Sequence, residues 1–211
     1  RAGDNAAGLA ISEQMRSQIA GLNQAVTNAK DAIGMIQTAE GALAETHSML
    51  NRMVTLYTQA ANGTYATSQN GSTTARENIQ VELDRLKEEI DRIGNQTDFN
   101  GIKPLSKSMS GKTMTFQIGP SSAETISVKC GAMTSSMLGA GGASGITGGN
   151  PYKTPSVGST PTTSIADIVK DKAVMSVETA NDAIDVVNCA INMVSSYRAQ
   201  LGAAQNRLEH T

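Results

Sequence analysis

His47 and His210 are the only histidines of this 211-residue chain, and Cys130 and Cys189 its only cysteines, so metal or nucleophile chemistry would have to start from them. A helical zinc site needs two imidazoles on one face with a carboxylate beside them, as in HExxH, and neither histidine has that neighbourhood. His47 is read as a partly buried packing residue. The two cysteines lie too far apart for a CxxC redox motif or a metal knuckle, and they are read as small apolar residues. No GxSxG elbow presents a serine, and no GxxxxGKS/T loop cradles phosphate. The clusters Gly139-Ala-Gly-Gly142 and Gly148-Gly149 are flexible chain, since no strand and helix flank them. The methionines at 15, 35, 49, 53, 175 and 193 are core filling, and the charged run Glu82 to Arg92 is a solvated helix face with pairs such as Glu88 with Arg92. The expectation is a protein with no catalytic residues, no metal and no cofactor.

Composition points the same way. Tryptophan is absent and aromatic residues are 3% of the chain, little bulk for a globular enzyme core. The formal net charge of -2 offers no basic field for a phosphate backbone, which argues against nucleic acid as a partner. No run approaches the roughly 20 consecutive apolar residues of a membrane span.

What remains is a set of helical stripes. Over residues 1–61 the apolar series Met15, Ile19, Leu22, Val26, Ala29, Ile33 and Ile36 alternates steps of four and three, a heptad seam. The count continues through Glu40, Leu43, His47, Leu50, Val54 and Tyr57, with two polar interruptions. Such a helix would be roughly 80 Å long at 1.5 Å per residue. Residues 62–73 read as a loop of Gly, Thr, Ser, Asn and Gln. A second helix over 74–94 begins at a capping box, Thr74 with Glu77, carries Ile79, Leu83, Leu86, Ile90 and Ile93, and stops at Gly94-Asn95. Residues 95–138 form an irregular segment whose period drops to two between about 113 and 130, a β-hairpin with a wide loop. Residues 139–164, rich in Gly, Ser, Thr and Pro, read as a linker. A long helix over 165–211 supplies the last seam: Val177, Ala180, Ile184, Val187, Ile191, Val194, Arg198, Leu201, Gln205 and Leu208. Three seams hide one another by bundling lengthwise. The expected fold is therefore mainly α, an elongated antiparallel bundle of two long helices and one shorter helix with a small β-hairpin, all one rod domain.

Four blocks carry a specific resemblance. Arg1-Ala-Gly-Asp-Asn-Ala-Ala-Gly-Leu-Ala-Ile-Ser12, Ile36-Gln-Thr-Ala-Glu-Gly-Ala-Leu-Ala-Glu-Thr46, Gln96-Thr-Asp-Phe-Asn-Gly101 and Ser196-Tyr-Arg-Ala-Gln-Leu-Gly-Ala-Ala-Gln-Asn-Arg-Leu-Glu-His-Thr211 resemble, in order, blocks of the bacterial flagellins. Phe116-Gln-Ile-Gly119 followed by Glu124-Thr-Ile126 is similar to the family hairpin. The resemblance implies a secreted structural subunit of the bacterial flagellum, a coiled-coil protein of motility. Its implied partners are other flagellin subunits in the full-length protein, a flagellar export chaperone and the type III export apparatus. Family members carry terminal polymerisation helices and outer variable domains, and the chain reads as the rod without them, expected to stay monomeric. Within the class a hook-filament junction protein is the alternative; a flagellin-derived adhesin would need an inserted domain.

The resemblance also implies a ligand of Toll-like receptor 5 in innate immunity. Matched motif by motif, the receptor-binding residues are Arg52, Leu56 and Gln59 on the first helix and Glu82 on the second. The first three, at i, i+4 and i+7, share a helical face that the seam residues Leu50, Val54 and Tyr57 do not use. An exposed Arg beside an apolar residue is a fitting hot spot. Val54 and Thr55 stand where many members have Arg and Glu, and the loop from Asn62 is longer.

Overall fold

The computed structural model describes residues 6–64, 75–139, 164–171, 174 and 176–210. The elements in order are α1 (Ala6–Ala60), α2 (Ala75–Gln96), a 3-10 turn (Lys107–Met109), β1 (Thr113–Gln117), β2 (Thr125–Lys129), α3 (Ile165–Lys170) and α4 (Val177–Glu209). The fold is mainly helical with one two-stranded antiparallel sheet, in which Thr113 pairs with Lys129 and Gln117 with Thr125. Thr74 and most of the Gly/Ser/Thr/Pro segment lie outside the described residues.

Helix α1 is the spine, and α2 and α4 run back along it. Arg52 of α1 meets Glu82, while Gly41 and Ala42, further back, share a groove with Ile93 and Gln96. Glu40 meets Arg198 at 3.4 Å, and the end of α1 is tied to the approach to α4 through Arg76. The hairpin seats on the α1–α4 pair near the other end, where Asn28 Nδ2 donates to the Gln117 carbonyl at 3.2 Å.

The buried seam of α1 is Ala25, Ala32, Ile36, Ala39, Leu43, Thr46, Leu50, Met53, Tyr57 and Ala60. That of α4 is Ala180, Ala183, Val187, Ala190, Val194, Tyr197, Leu201, Ala204 and Leu208. Both keep the three-four spacing, but each is turned from the sequence expectation at alternate positions. Ala39 and Thr46 are buried where Glu40 and His47 were counted, and Ala183 and Ala190 where Ile184 and Ile191 were counted. Ile33, Val54, Leu86, Ile184 and Ile191 are half-buried on the margins of the core. Small residues at alternate positions let the two backbones approach closely, so the alanine side faces inward and the isoleucines flank it. The shared members Ile36, Leu43, Leu50, Tyr57, Val187, Val194 and Leu201 are buried in either register, as are Leu83 and Ile90 of α2.

Ile19, Leu22 and Val26 depart most from expectation. They are 60%, 50% and 55% exposed, because among the described residues no element packs over that side of α1.

Two helix boundaries also differ. Gly94 does not stop α2, which continues to Gln96. A Cβ on Gly94 would lie 2.8 Å from the Met133 carbonyl oxygen, so the glycine admits a passing backbone. The helix ends at Thr97, whose N–H and hydroxyl both donate to the Ile93 carbonyl, at 3.0 and 2.7 Å. The segment expected as one helix over 165–211 is two. Ser164 opens α3 by a capping box with Asp167, whose carboxylate accepts from the Ser164 N–H at 2.9 Å. Ser176, in extended conformation, then starts α4. Between them the Val174 carbonyl accepts from Arg76 Nη1 at 2.6 Å, so the break is tied to α2.

Candidate functional site

Chemistry-bearing side chains are dispersed along this rod. His47 is half-buried on α1 and His210 is exposed just beyond α4. Burial raises the thiol pKa of both Cys130 and Cys189. Burial also pushes the Tyr197 hydroxyl up to about 12. Among the described residues no group of three or more His, Cys, Asp or Glu is placed to hold a metal ion, and no helix is long and apolar enough to cross a membrane. The features left are surfaces.

The first is the outer face where α2 lies on α1. Arg52 Nε donates to Glu82 Oε1 at 2.7 Å, and Nη2 lies 2.7 Å from the same oxygen as an ion pair. This hydrogen bond, and then the charge of Glu82, raises the Arg52 pKa further above its ordinary value. Gln59 is exposed two turns along α1. Leu56 is not on this surface: it is 1% exposed and belongs to the same core as Ile79 and Leu83. The i, i+4, i+7 face that Arg52, Leu56 and Gln59 share is the face α2 covers. Arg52 and Gln59 emerge beside the joint, and Leu56 lies in the core. The sequence showed the shared face but held no measure of where the second helix would lie across it.

Along α2, by contrast, the ion pairs are local. Arg85 pairs with Glu88 at 3.0 Å, and Arg92 Nε donates to Glu89 at 2.7 Å, so the expected Glu88–Arg92 pair is replaced by two i, i+3 pairs. Pairs this exposed add little to stability. Thr55, beside Arg52, has its hydroxyl committed to the Asn51 carbonyl at 3.1 Å.

The second surface is the bare side of α1. Ile11, Met15, Ile19, Leu22 and Val26, with Leu9 beside them, are 46–60% exposed and follow one another by four, four, three and four residues. This is a continuous apolar stripe of a kind that marks a contact surface. The heptad count places Met15, Ile19, Leu22 and Val26 of this stripe in the interior and does not include Leu9 or Ile11, because periodicity identifies a stripe and not what covers it.

Comparison with known proteins adds an identity to this geometry. Residues 1–110 match the family model of the bacterial flagellin N-terminal helical region. The chain is 44% identical to a flagellin of Bacillus subtilis over 100% of its own length and 68% of that protein. It is 38% identical to a flagellar filament 30.7 kDa core protein of Treponema maltophilum, covering 99% of the chain and 66% of the relative. It thus spans about two thirds of the length of these relatives. The crystal structure of a Bacillus cereus flagellin superposes with a TM-score of 0.61 at 27% identity, covering 88% of this chain and 86% of that one.

Proposed function

Because the chain belongs to the bacterial flagellin family, we propose that it forms the rod of a structural subunit of the flagellar filament, extracellular and devoted to motility. The observation that carries this reading is the apolar stripe from Ile11 to Val26, left open on a helix otherwise buried against its own chain. A side chain such as Ile gains about 1.5–3 kcal/mol when fully buried, so several in one row make a strong docking edge for neighbouring subunits. Passage through the type III export apparatus with a chaperone, and so secretion, rests on family membership alone.

The test uses the full-length protein in cells that lack their own flagellin. Ile19→Asp with Val26→Asp should abolish filaments, or shorten them severely, while circular dichroism of the 211-residue chain is unchanged. Filaments of normal length and number would contradict the assembly role of the stripe. The 211-residue chain alone is expected to remain monomeric in light scattering; large oligomers would contradict that expectation.

The same rod is proposed as a ligand of Toll-like receptor 5, contacted through the outer α1–α2 face with Arg52 at its centre and Gln59 and Glu82 beside it. Leu56, being buried, contributes by holding α1 against α2 and not by touching the receptor. What supports this reading is the exposed, ordered Arg52 at the joint of two helices, the kind of residue that dominates binding hot spots. Arg52→Ala should weaken binding of the receptor ectodomain at least tenfold, roughly 1.4 kcal/mol. An unchanged titration curve would remove this face from the receptor interface.

A further inference from the structure

We propose that Asn62 is a self-modification site, where loss of ammonia converts the residue to isoaspartate and the buried Arg76 directs and holds the product. An asparagine followed by glycine cyclises readily, because glycine has no side chain to hinder attack by its own nitrogen. The chain has three such pairs, Asn62-Gly63, Asn70-Gly71 and Asn100-Gly101. Asn70 and Gly71 lie outside the described residues. The other two pairs stand in opposite states.

At Asn100-Gly101 the attacking nitrogen is occupied: the Gly101 N–H donates to Asp98 Oδ1 at 3.0 Å, and the Phe99–Ile102 bridge closes the turn around it. Breaking a hydrogen bond to a carboxylate should slow cyclisation by about tenfold or more. At Asn62-Gly63, just beyond α1, both residues are exposed, and nothing lies within 4 Å of where a Cβ on Gly63 would stand. Asn62 Oδ1 accepts from the Thr64 N–H at 3.2 Å, which folds the side chain back over the Gly63 peptide. Among the described residues nothing accepts from the Gly63 N–H.

The chemistry needs only water. The Gly63 nitrogen gives its proton to solvent and attacks Asn62 Cγ; the Cγ–Nδ2 bond breaks, and the leaving nitrogen takes a proton and departs as ammonia. The product is a five-membered succinimide. Water then adds to one of the two ring carbonyl carbons and breaks its bond to the Gly63 nitrogen, which takes a proton. Opening at Cγ gives aspartate. Opening at the main-chain carbonyl of residue 62 gives isoaspartate, with the chain rerouted through the side chain and the former main-chain carbonyl freed as a carboxylate. That carbonyl oxygen is the one Arg76 Nη2 holds, at 3.3 Å. The guanidinium is 2% exposed and is anchored also on the Val174 carbonyl. It stabilises the negative charge that develops on this oxygen as water adds, then keeps a charge-assisted bond to the carboxylate. Isoaspartate is therefore the favoured product, and it accumulates with the age of the chain because the ammonia is lost to solvent.

The test ages the 211-residue chain in mildly alkaline buffer, folded or in urea. Each asparagine is followed by tandem mass spectrometry, and an isoaspartyl methyltransferase with labelled S-adenosylmethionine reports the β-linked product. In urea Asn62 and Asn100 should react at similar rates. In the folded chain Asn100 should slow by at least about tenfold while Asn62 stays within about threefold of its urea rate, and the isoaspartate-to-aspartate ratio at residue 62 should rise at least about threefold above its urea value. Asp98→Ala should release Asn100 and leave residue 62 unchanged. Arg76→Ala should return the ratio at residue 62 to the urea value, with a slow Asn100 as the sign that the chain is still folded; should that variant unfold, the wild-type comparison of folded chain with urea decides. An Asn62 as slow as Asn100 in the folded chain would overturn the site. An equal product ratio at residue 62 in folded and unfolded chains would overturn the part given to Arg76.

Discussion

Leu50→Ala should lower the stability of the folded chain by about 3 kcal/mol, whereas Ile19→Ala should leave it within about 0.5 kcal/mol. Sequence treats the two residues alike, as large apolar members of one seam on one helix. The structure separates them: Leu50 is fully buried and Ile19 is 60% exposed. Truncating Leu50 removes methyl groups from the interior and leaves a hole that neighbours such as Leu43, Met53 and Leu83 fill only in part, so transfer and cavity costs add. Truncating Ile19 removes apolar surface from water in both the folded and unfolded states. In a thermal melt followed at a helical wavelength, a loss of 3 kcal/mol in a chain of this size is a fall of roughly 10 °C. Equal shifts for the two variants would mean that the bare side of α1 is covered by its own chain.

The second large effect is expected at Arg76. It is 2% exposed, and its fork joins three segments: Nη1 donates to the Val174 carbonyl at 2.6 Å and Nη2 to the Asn62 carbonyl at 3.3 Å. One side chain on α2 therefore ties the end of α1 to the break before α4. Arg76→Ala leaves both carbonyls without that donor, and the expected cost is about 2–4 kcal/mol in urea unfolding. Arg76→Lys should recover little, because one ammonium on a flexible stem does not reproduce two donors in a fixed plane. Amide exchange should accelerate first around Val174 and at the start of α4. Wild-type stability in Arg76→Ala would show that packing alone holds this end of the rod.

Much of this architecture could be read from residue spacing, and its failures have one cause. The period-seven residues Ile36, Leu43, Leu50 and Tyr57, and Val187, Val194 and Leu201, mark the buried lines of the long helices in any register. The alternate positions were assigned by bulk, favouring Ile184 and Ile191 over Ala183 and Ala190. Close helix packing selects the smaller residues instead. The polar interruptions at Glu40 and His47 were the visible sign that the register was turned by one residue, since Ala39 and Thr46 beside them fit an interior better.

Other features were present in the sequence without being distinguishable there. Gly94 next to Asn95 reads as a helix stop, and its use as a gap for the Met133 backbone depends on a segment forty residues away. Asn100-Gly101, inside one of the family-like blocks, is also a strong tight-turn signal. Both residues have positive φ, and Phe99 and Ile102 exchange backbone hydrogen bonds across them at 2.9 and 3.0 Å. Of the proposed receptor residues, Arg52, Gln59 and Glu82 are on the surface. Leu56 failed because a helical face is shared by residues whose burial depends on where the next helix crosses.

The account stands on α1 and α4 lying side by side in opposite directions, with residue 40 level with residue 198. Pulsed electron-resonance distances test this once Cys130 and Cys189 are replaced by serine. Spin labels at exposed Gln37 and Gln200 should give a short distance, under about 20 Å, and labels at Gln37 and exposed Asn181 one about 15–20 Å longer, because roughly 28 Å of helix axis at 1.5 Å per residue separates residues 200 and 181. A reversal of that order, or two broad and equal distributions, would contradict the lengthwise antiparallel packing of the rod.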